Sequence, residues 1–491
     1  MAERVDVVIV GAGVGGLATA IRLGAAGHRV VVLERRAVTG GKLAATHHDG
    51  CTFDVGPSLL TLPGVFDELF SLAGTSLAEQ LDLRRLDPQF QYHWPDGSSL
   101  VVPDAADHTA AAFDALAPGA GAEWRRFDGR GRGIWDVSER TFLAGPMNGP
   151  RQLLRRVRSP ADLWAIDPLR TLHRLAARCF ADRRLVQWAG RYATYSGSSP
   201  FRAPATLACI PHIESRFGCW YPMGGLDTLR DALERVAVAV GVDVRCACEV
   251  VRITTAFDAG RVGGVELADG TAIAASAVVA NADAEHIYGD LLPDADELRT
   301  VTRAERSTSG LVVTAAVRGT TPGLGHHTVW FSPDDRAEAE ALAAGRMAAE
   351  PTVYGCVSSV TDASQAAPDL ENWFLLVNAP AGIELDAAIE RSRLLDVLAS
   401  RGTDLRTRVV GSEVLTPADM AQRYRAPGGA IYGASSNGRR AAFLRPRNRA
   451  RLPGLYLVGG SSHPGGGLPL VAISARIVAT MVDADVAVLG S

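Results

Sequence analysis

The chain has 491 residues, 47% of them hydrophobic, and a formal net charge of −4 at neutral pH. That length suits two or three domains, the apolar content excludes a disordered chain, and the near-neutral balance gives no sign of nucleic acid as a partner. No charge-free apolar run reaches the roughly 18 residues of a spanning helix, and the first strand starts too early for a signal peptide to precede it.

Residues 5–10, VDVVIV, are a short β-branched run that reads as a buried parallel strand. Gly11, Gly13, Gly15 and Gly16 follow. They allow a tight turn, close backbone approach to a pyrophosphate, and close packing of helix on strand. Residues 17–23 then form a good helix, whose N-terminus offers free N–H groups and a positive dipole end to phosphates; Gly27 stops it. Residues 29–33 are the second strand, closed by Glu34. A carboxylate there can accept from both hydroxyls of an adenosine ribose and would repel the 2′-phosphate of NADP. A glycine fingerprint alone is weak. Here strand, helix, second strand and acid coincide, whereas a turn that only packs a helix would leave Glu34 unexplained. Gly40-Gly41-Lys42 comes next, and Lys42 is the only lysine among 50 basic residues.

Residues 50–58 read as a loop or short strand, ahead of a helix over about 63–73. Residues 85–103 read as a hairpin around a Pro-Asp-Gly turn. Residues 105–190 are mainly helical. From Arg151 to Arg191, ten arginines and three aspartates accompany Leu153, Leu154, Leu163, Trp164, Leu169, Leu172, Leu175, Leu185 and Trp188. The pattern fits either an amphipathic helix lying on anionic lipid or a solvated arginine face on a core helix. β structure returns over 242–282, where 277–283 is a buried strand running into a polar turn. Residues 310–318, 327–332, 351–360 and 372–379 read as strands of a second sheet. Residues 454–460 are a further buried strand, followed by a glycine-rich loop and a last helix over about 470–484.

The 7 cysteines are scattered and odd in number, with no CxxC pair and no zinc spacing. Cys246 and Cys248 read as two residues on one face of a strand. The chain therefore reads as intracellular and reduced, in the cytoplasm. His47-His48 and His326-His327 are adjacent pairs; neighbours on a strand point to opposite faces, so no metal is expected.

At this point the motifs match a family. Gly11-x-Gly13-x-x-Gly16-Leu17, Glu34, Gly40-Gly41-Lys42 and Phe53-Asp54-x-Gly56-Pro57-Ser58 stand at the N-terminal end. Ile213-Glu214 and Gly218-x-Trp220-Tyr221-Pro222 stand in the middle. Gly428-Gly429-Ala430-Ile431-Tyr432-Gly433, Phe443-Leu444-Arg445-Pro446, Gly459-Gly460 and His463-Pro464-Gly465-Gly466-Gly467-Leu468-Pro469 stand at the C-terminal end. Over nearly its whole length the chain resembles the bacterial-type carotenoid (phytoene) desaturases, within the amine-oxidase-like flavoproteins. Its tail most resembles the branch that introduces a C3–C4 double bond into hydroxylated or methoxylated acyclic carotenoids, and it also resembles diapocarotenoid oxygenases.

The resemblance implies an α/β fold: a Rossmann-like FAD-binding domain over 1–84, 211–294 and 426–491, with an inserted α+β substrate and membrane-facing domain over 85–210 and 295–425. It implies FAD, a hydrophobic polyene substrate, and peripheral contact with membrane lipid. It leaves the oligomeric state open. The residues expected to hold FAD are Gly11, Gly13, Gly15, Gly16, Glu34, Arg35, Gly41, Lys42, Gly56, Pro57, Ser58, Val250, Gly459, Gly460, Gly467, Leu468 and Pro469. Lys42 is either near the pyrophosphate or flavin edge, or a surface lysine left by chance. Desaturation removes a hydride and a proton, the hydride going to flavin N5. His463 is the catalytic candidate, as proton donor or acceptor, with a structural role capping the turn as the alternative. Tyr192 and Tyr195 are core tyrosines or tunnel lining, and Glu214, ahead of Gly218-x-Trp220, is a loop carboxylate. An oxygenase or oxidase on the same scaffold, and a non-enzymatic prenyl-lipid carrier, are the competing functions.

Overall fold

The computed structural model describes residues 3–147, 149–167, 169–256, 260–438 and 441–490. Two seven-stranded sheets organise it. In the first, Ala272–Ala280, Glu3–Val10, Val30–Leu33 and Asp243–Arg245 run parallel in that order. Val262–Leu267 and Val250–Thr255 extend the other side antiparallel, and Leu455–Leu457 pairs parallel with the end of Ala272–Ala280.

Both faces of this sheet are covered, which is why its central strands are nearly all apolar. Val7, Ile9, Val30, Val32 and Val279 point into one core, shared with the helices Val14–Ala25 and Leu468–Gly490 through Leu17, Ile21, Ala475 and Val478. Val8, Val10, Val31, Leu33, Val278 and Ala280 point into the opposite core, beneath Ile287 and Leu291. The pleat alone makes this division.

The second sheet has the order Val409–Leu415, Ser309–Arg318, Leu370–Ala379, Val353–Val357, His327–Trp330, Phe90–His93, Ser99–Val102. Its pairs are antiparallel except His327–Trp330 with Phe90–His93. One face packs Val313, Ala315, Trp330, Trp373 and Leu375 against Leu394, Leu395 and Leu398 of the helix Ala387–Ser400. Alternation turns Val312, Tyr354, Phe374 and Leu376 to the other face, where they line a cavity.

The strands of this sheet match the four runs and the hairpin expected from sequence, and Gly64–Ser71 matches the expected helix. Three details differ. Val409–Leu415 is a further strand, at the sheet edge. The last helix begins at Leu468 and runs to Gly490. Cys246 and Cys248 lie beyond the end of Asp243–Arg245, because Ala247 takes a positive φ of 54° and stops the extended run.

The basic stretch divides. Leu172, Leu175, Phe180, Leu185 and Trp188 are core, in contact with Phe113, Trp124 and Phe127. Leu154, Trp164 and Leu169 are 56%, 78% and 63% exposed. The side chains of Leu153 and Leu163 lie outside the described ones. Among the described residues no helix is long and apolar enough to cross a membrane.

Candidate functional site

The glycine turn sits where the strands Glu3–Val10 and Ala272–Ala280 end, with the N-terminus of Val14–Ala25 above it. It opens into a cavity of about 1260 Å³ that continues past Ser58 to Phe90, Arg191, Tyr354 and Phe374. One space therefore joins the nucleotide cradle to an apolar chamber walled by the second sheet and the helical region. Every residue expected to hold the cofactor lines it except Gly16. A Cβ on Gly16 would lie 2.1 Å from the Gly11 carbonyl oxygen. Gly16 thus allows the helix to close on the strand and does not face the cavity. Gly56 is comparable: a Cβ there would lie 1.8 Å from the Lys42 carbonyl oxygen, so two chain segments meet only because it has none.

Glu34 is buried and oriented by the backbone: the Ala12 N–H donates to Oε2 at 2.9 Å and the Arg36 N–H to Oε1 at 3.0 Å. Its remaining lone pairs face the cavity, as a ribose diol requires. Lys42 also lines the cavity. Its ammonium donates to the carbonyls of Ile431, at 2.6 Å, and Ala430, at 3.4 Å. Burial lowers its pKa, opposed by the charge of Asp283. The lone lysine therefore ties the cradle to the 430–431 segment rather than standing on the surface. Arg445 does similar work, donating to the carbonyls of Tyr432, Ala434 and Gly460 at 2.7–3.0 Å. Burial brings its pKa down to about 10. Asn281, just past Ala272–Ala280, packs between Gly13, Gly15 and Gly459. Sequence reading found neither as a site residue, although Asn281 follows a buried parallel strand, the place where ligands of open α/β sheets gather.

His463, the candidate for proton transfer, sits behind the cavity wall. It is buried at 1% exposure, its ring packs edge-on against Phe142 at 4.6 Å, and it is absent from the cavity wall. Its carbonyl accepts from Asn448 Nδ2 and Ser474 Oγ, each at 2.8 Å. Burial lowers its pKa to about 4, which keeps the ring neutral near pH 7.

The polar groups of the chamber are others. Glu214 lies on the helix Cys209–Phe217, not in a loop, and lines the cavity. Tyr192 and Tyr195 donate to its two oxygens at 2.7 and 2.8 Å. Burial raises its pKa, against the pull of Tyr192, Arg191 and Tyr195. Tyr195 lines the cavity and Tyr192 is buried behind it. Beside them Ser58 bonds Tyr354 at 2.6 Å, and Tyr354 bonds His327 Nδ1 at 2.9 Å.

His326 and His327 do not point apart. His326 precedes the strand His327–Trp330, so strand alternation does not govern it, and the rings lie 4.5 Å apart. With Cys356 they bring ligand-type atoms within 4.8 Å of one another. Burial keeps both imidazoles neutral, His326 with a pKa near 3. The cluster lies behind Tyr354, off the cavity wall.

Comparison with known proteins matches residues 14–321 to the flavin-containing amine oxidoreductases. The chain is 36% identical to a hydroxyneurosporene desaturase of Rhodobacter capsulatus over 99% of each chain. It is 34% identical to a 4,4'-diapolycopene oxygenase of a Methylomonas species over 98% of each. The chain belongs to the carotenoid desaturase and oxygenase family. Among solved structures, a putrescine oxidase bound to putrescine covers 99% of the chain and 100% of its own length at a TM-score of 0.68 and 16% identity, a likeness of fold. The carotenoid desaturase and oxygenase fold accounts for the pairing seen here: a flavin-type Rossmann sheet and a separate mixed sheet, with one cavity between. The family implies FAD, and the cradle fits it, since the Glu34 carboxylate and the glycine turn both face the open space.

Proposed function

We propose that the protein is an FAD-dependent desaturase that introduces C=C bonds into an acyclic carotenoid, phytoene-type or 1-hydroxylated. The observation that carries this reading is the single cavity that runs from the Glu34 cradle into an aromatic and aliphatic chamber. A long polyene fits such a chamber, and the few polar groups in it can orient one end. A carotenoid desaturation takes a hydride and a proton from adjacent carbons and leaves a C=C bond. FAD, when bound, supplies the two-electron acceptor for that removal. Gly11, Gly13, Gly15, Glu34, Arg35, Gly41, Lys42, Gly56, Pro57, Ser58, Val250, Gly459, Gly460, Gly467, Leu468 and Pro469 would hold it.

The chain's own contribution is a dry, shaped space and a carboxyl at its wall. Glu214, with its pKa raised by burial and both oxygens held by tyrosines, is the group able to take the released proton. The walls of Phe90, Tyr354 and Phe374 exclude water from the reacting carbons. The substrate partitions into bilayers. We therefore place peripheral contact with anionic lipid at Leu154, Trp164 and Leu169, exposed on consecutive short segments among arginines.

The second reading is an oxygenase, supported by the 34% identity to the Methylomonas enzyme. Anaerobic mixing separates the two. The desaturase reading predicts that FAD-loaded protein bleaches its flavin absorbance as the polyene bands shift to the red, without dioxygen. No bleaching until oxygen is admitted would favour the oxygenase.

A further inference from the structure

Arg191 is a half-buried cation with no carboxylate in contact; Glu214 acts on it only through space, across the Tyr195 hydroxyl. Among the described residues its one hydrogen bond is to the Tyr195 hydroxyl, at 3.3 Å, and no carboxylate oxygen lies within salt-bridge distance. Instead the guanidinium stands over four rings: Phe90 at 5.0 Å, Tyr195 at 5.3 Å, Tyr354 at 5.6 Å and Tyr92 at 5.7 Å. Ring faces offset part of the cost of burying the charge. They accept none of its N–H donors in the directions a guanidinium prefers, and an unmet charged donor in a low-dielectric site is expensive.

Arg191 lines the cavity, as do Glu214 and Ser58, and Ser58 bonds the hydroxyl of Tyr354, over whose ring the guanidinium stands. Tyr354, which would otherwise offer an oxygen, is already engaged by Ser58 and His327, and both Glu214 oxygens are engaged by tyrosines. The free donors therefore face only the space that the substrate enters.

We propose that Arg191 is the recognition residue for an oxygen-bearing end of the polyene, a hydroxyl, which accepts from its guanidinium. This rests on the carotenoid reading above and narrows it to substrates already hydroxylated at one end, so the reaction that supplies the substrate is a hydration or hydroxylation of the chain terminus. It also places that end beside Ser58, so the carbons altered are those near the oxygen.

The test is a binding ratio. FAD-loaded protein is titrated with an acyclic 1-hydroxylated carotenoid and with the same polyene lacking the hydroxyl, each followed by its absorption shift. Wild-type protein should bind the hydroxylated compound roughly ten- to a hundredfold more tightly, as expected for a hydrogen bond to a charged donor. Arg191→Met should bring the ratio within about twofold by weakening the hydroxylated compound alone. Arg191→Lys, which keeps the charge and disturbs the cage least, should give an intermediate ratio with unchanged flavin content. Equal loss for both polyenes would make Arg191 a keystone of the aromatic cage, and loss of FAD would assign it to the cofactor. Either result, or a wild-type ratio near one, overturns the proposal. The measurement needs no turnover, so a failure of desaturation leaves it readable.

Discussion

Two carboxyl groups show how burial decides chemistry at single residues. Burial raises the pKa of Glu214, against the pull of Tyr192, Arg191 and Tyr195, and so makes it a stronger base than a solvated carboxylate. Glu214→Gln should retain FAD and lower turnover by about a hundredfold or more, and Tyr195→Phe should lower it less. A Gln variant with wild-type turnover would remove Glu214 from proton transfer. Asp54 is the structural counterpart. Desolvation lifts its pKa from 3.8 to about 7, although the Leu226 N–H donates to it at 3.0 and 3.1 Å. The folded chain thus binds this proton more tightly than the unfolded chain. The associated stability is full below about pH 4 and is lost as pH rises through about 7, by about 4 kcal/mol at most. Asp54→Asn keeps an acceptor for Leu226 and should flatten the fall in unfolding free energy between about pH 4 and pH 7. A slope equal to that of the wild type would contradict this.

At the scale of elements, local pattern made much of the fold legible. The cradle could be read because its strand, turn, helix and Glu34 are neighbours in sequence. The second sheet could be read from β-branched runs such as residues 310–318. Val409–Leu415 was missed because it sits at the sheet edge, half-exposed, with glycine, serine and glutamate in its middle. The chamber was legible only in part. Its polar corner needs Phe90, Arg191, Glu214 and Tyr354 to converge from three elements and a 3₁₀ turn, and no spacing announces that. The setting of His463 is illegible for the same reason: its ring partner, Phe142, lies more than three hundred residues earlier.

The basic stretch needed the structure to divide it, since Trp164 and Trp188 look alike in sequence but differ from 78% exposed to buried. Trp188→Ala should cost about 3–5 kcal/mol of stability, read by denaturant unfolding. Trp164→Ala with Leu169→Ser should leave the thermal midpoint within about a degree or two and reduce co-sedimentation with anionic vesicles. Unchanged sedimentation would place membrane contact elsewhere.

For the whole molecule, two sheets with different duties share one cavity. The first, with both faces buried, fixes the cradle. The second buries Trp330 and Trp373 on one side and offers Tyr354 and Phe374 on the other. The reach of the cavity from Glu34 to Phe374 makes a polyene oxidised beside a nucleotide cofactor the economical account. The mass of the product tests it most directly. FAD-loaded protein is given an acyclic 1-hydroxylated carotenoid, and the extract is analysed by mass spectrometry. The account predicts a product two hydrogens lighter than the substrate, with its oxygen count unchanged; a product that has gained oxygen would contradict it.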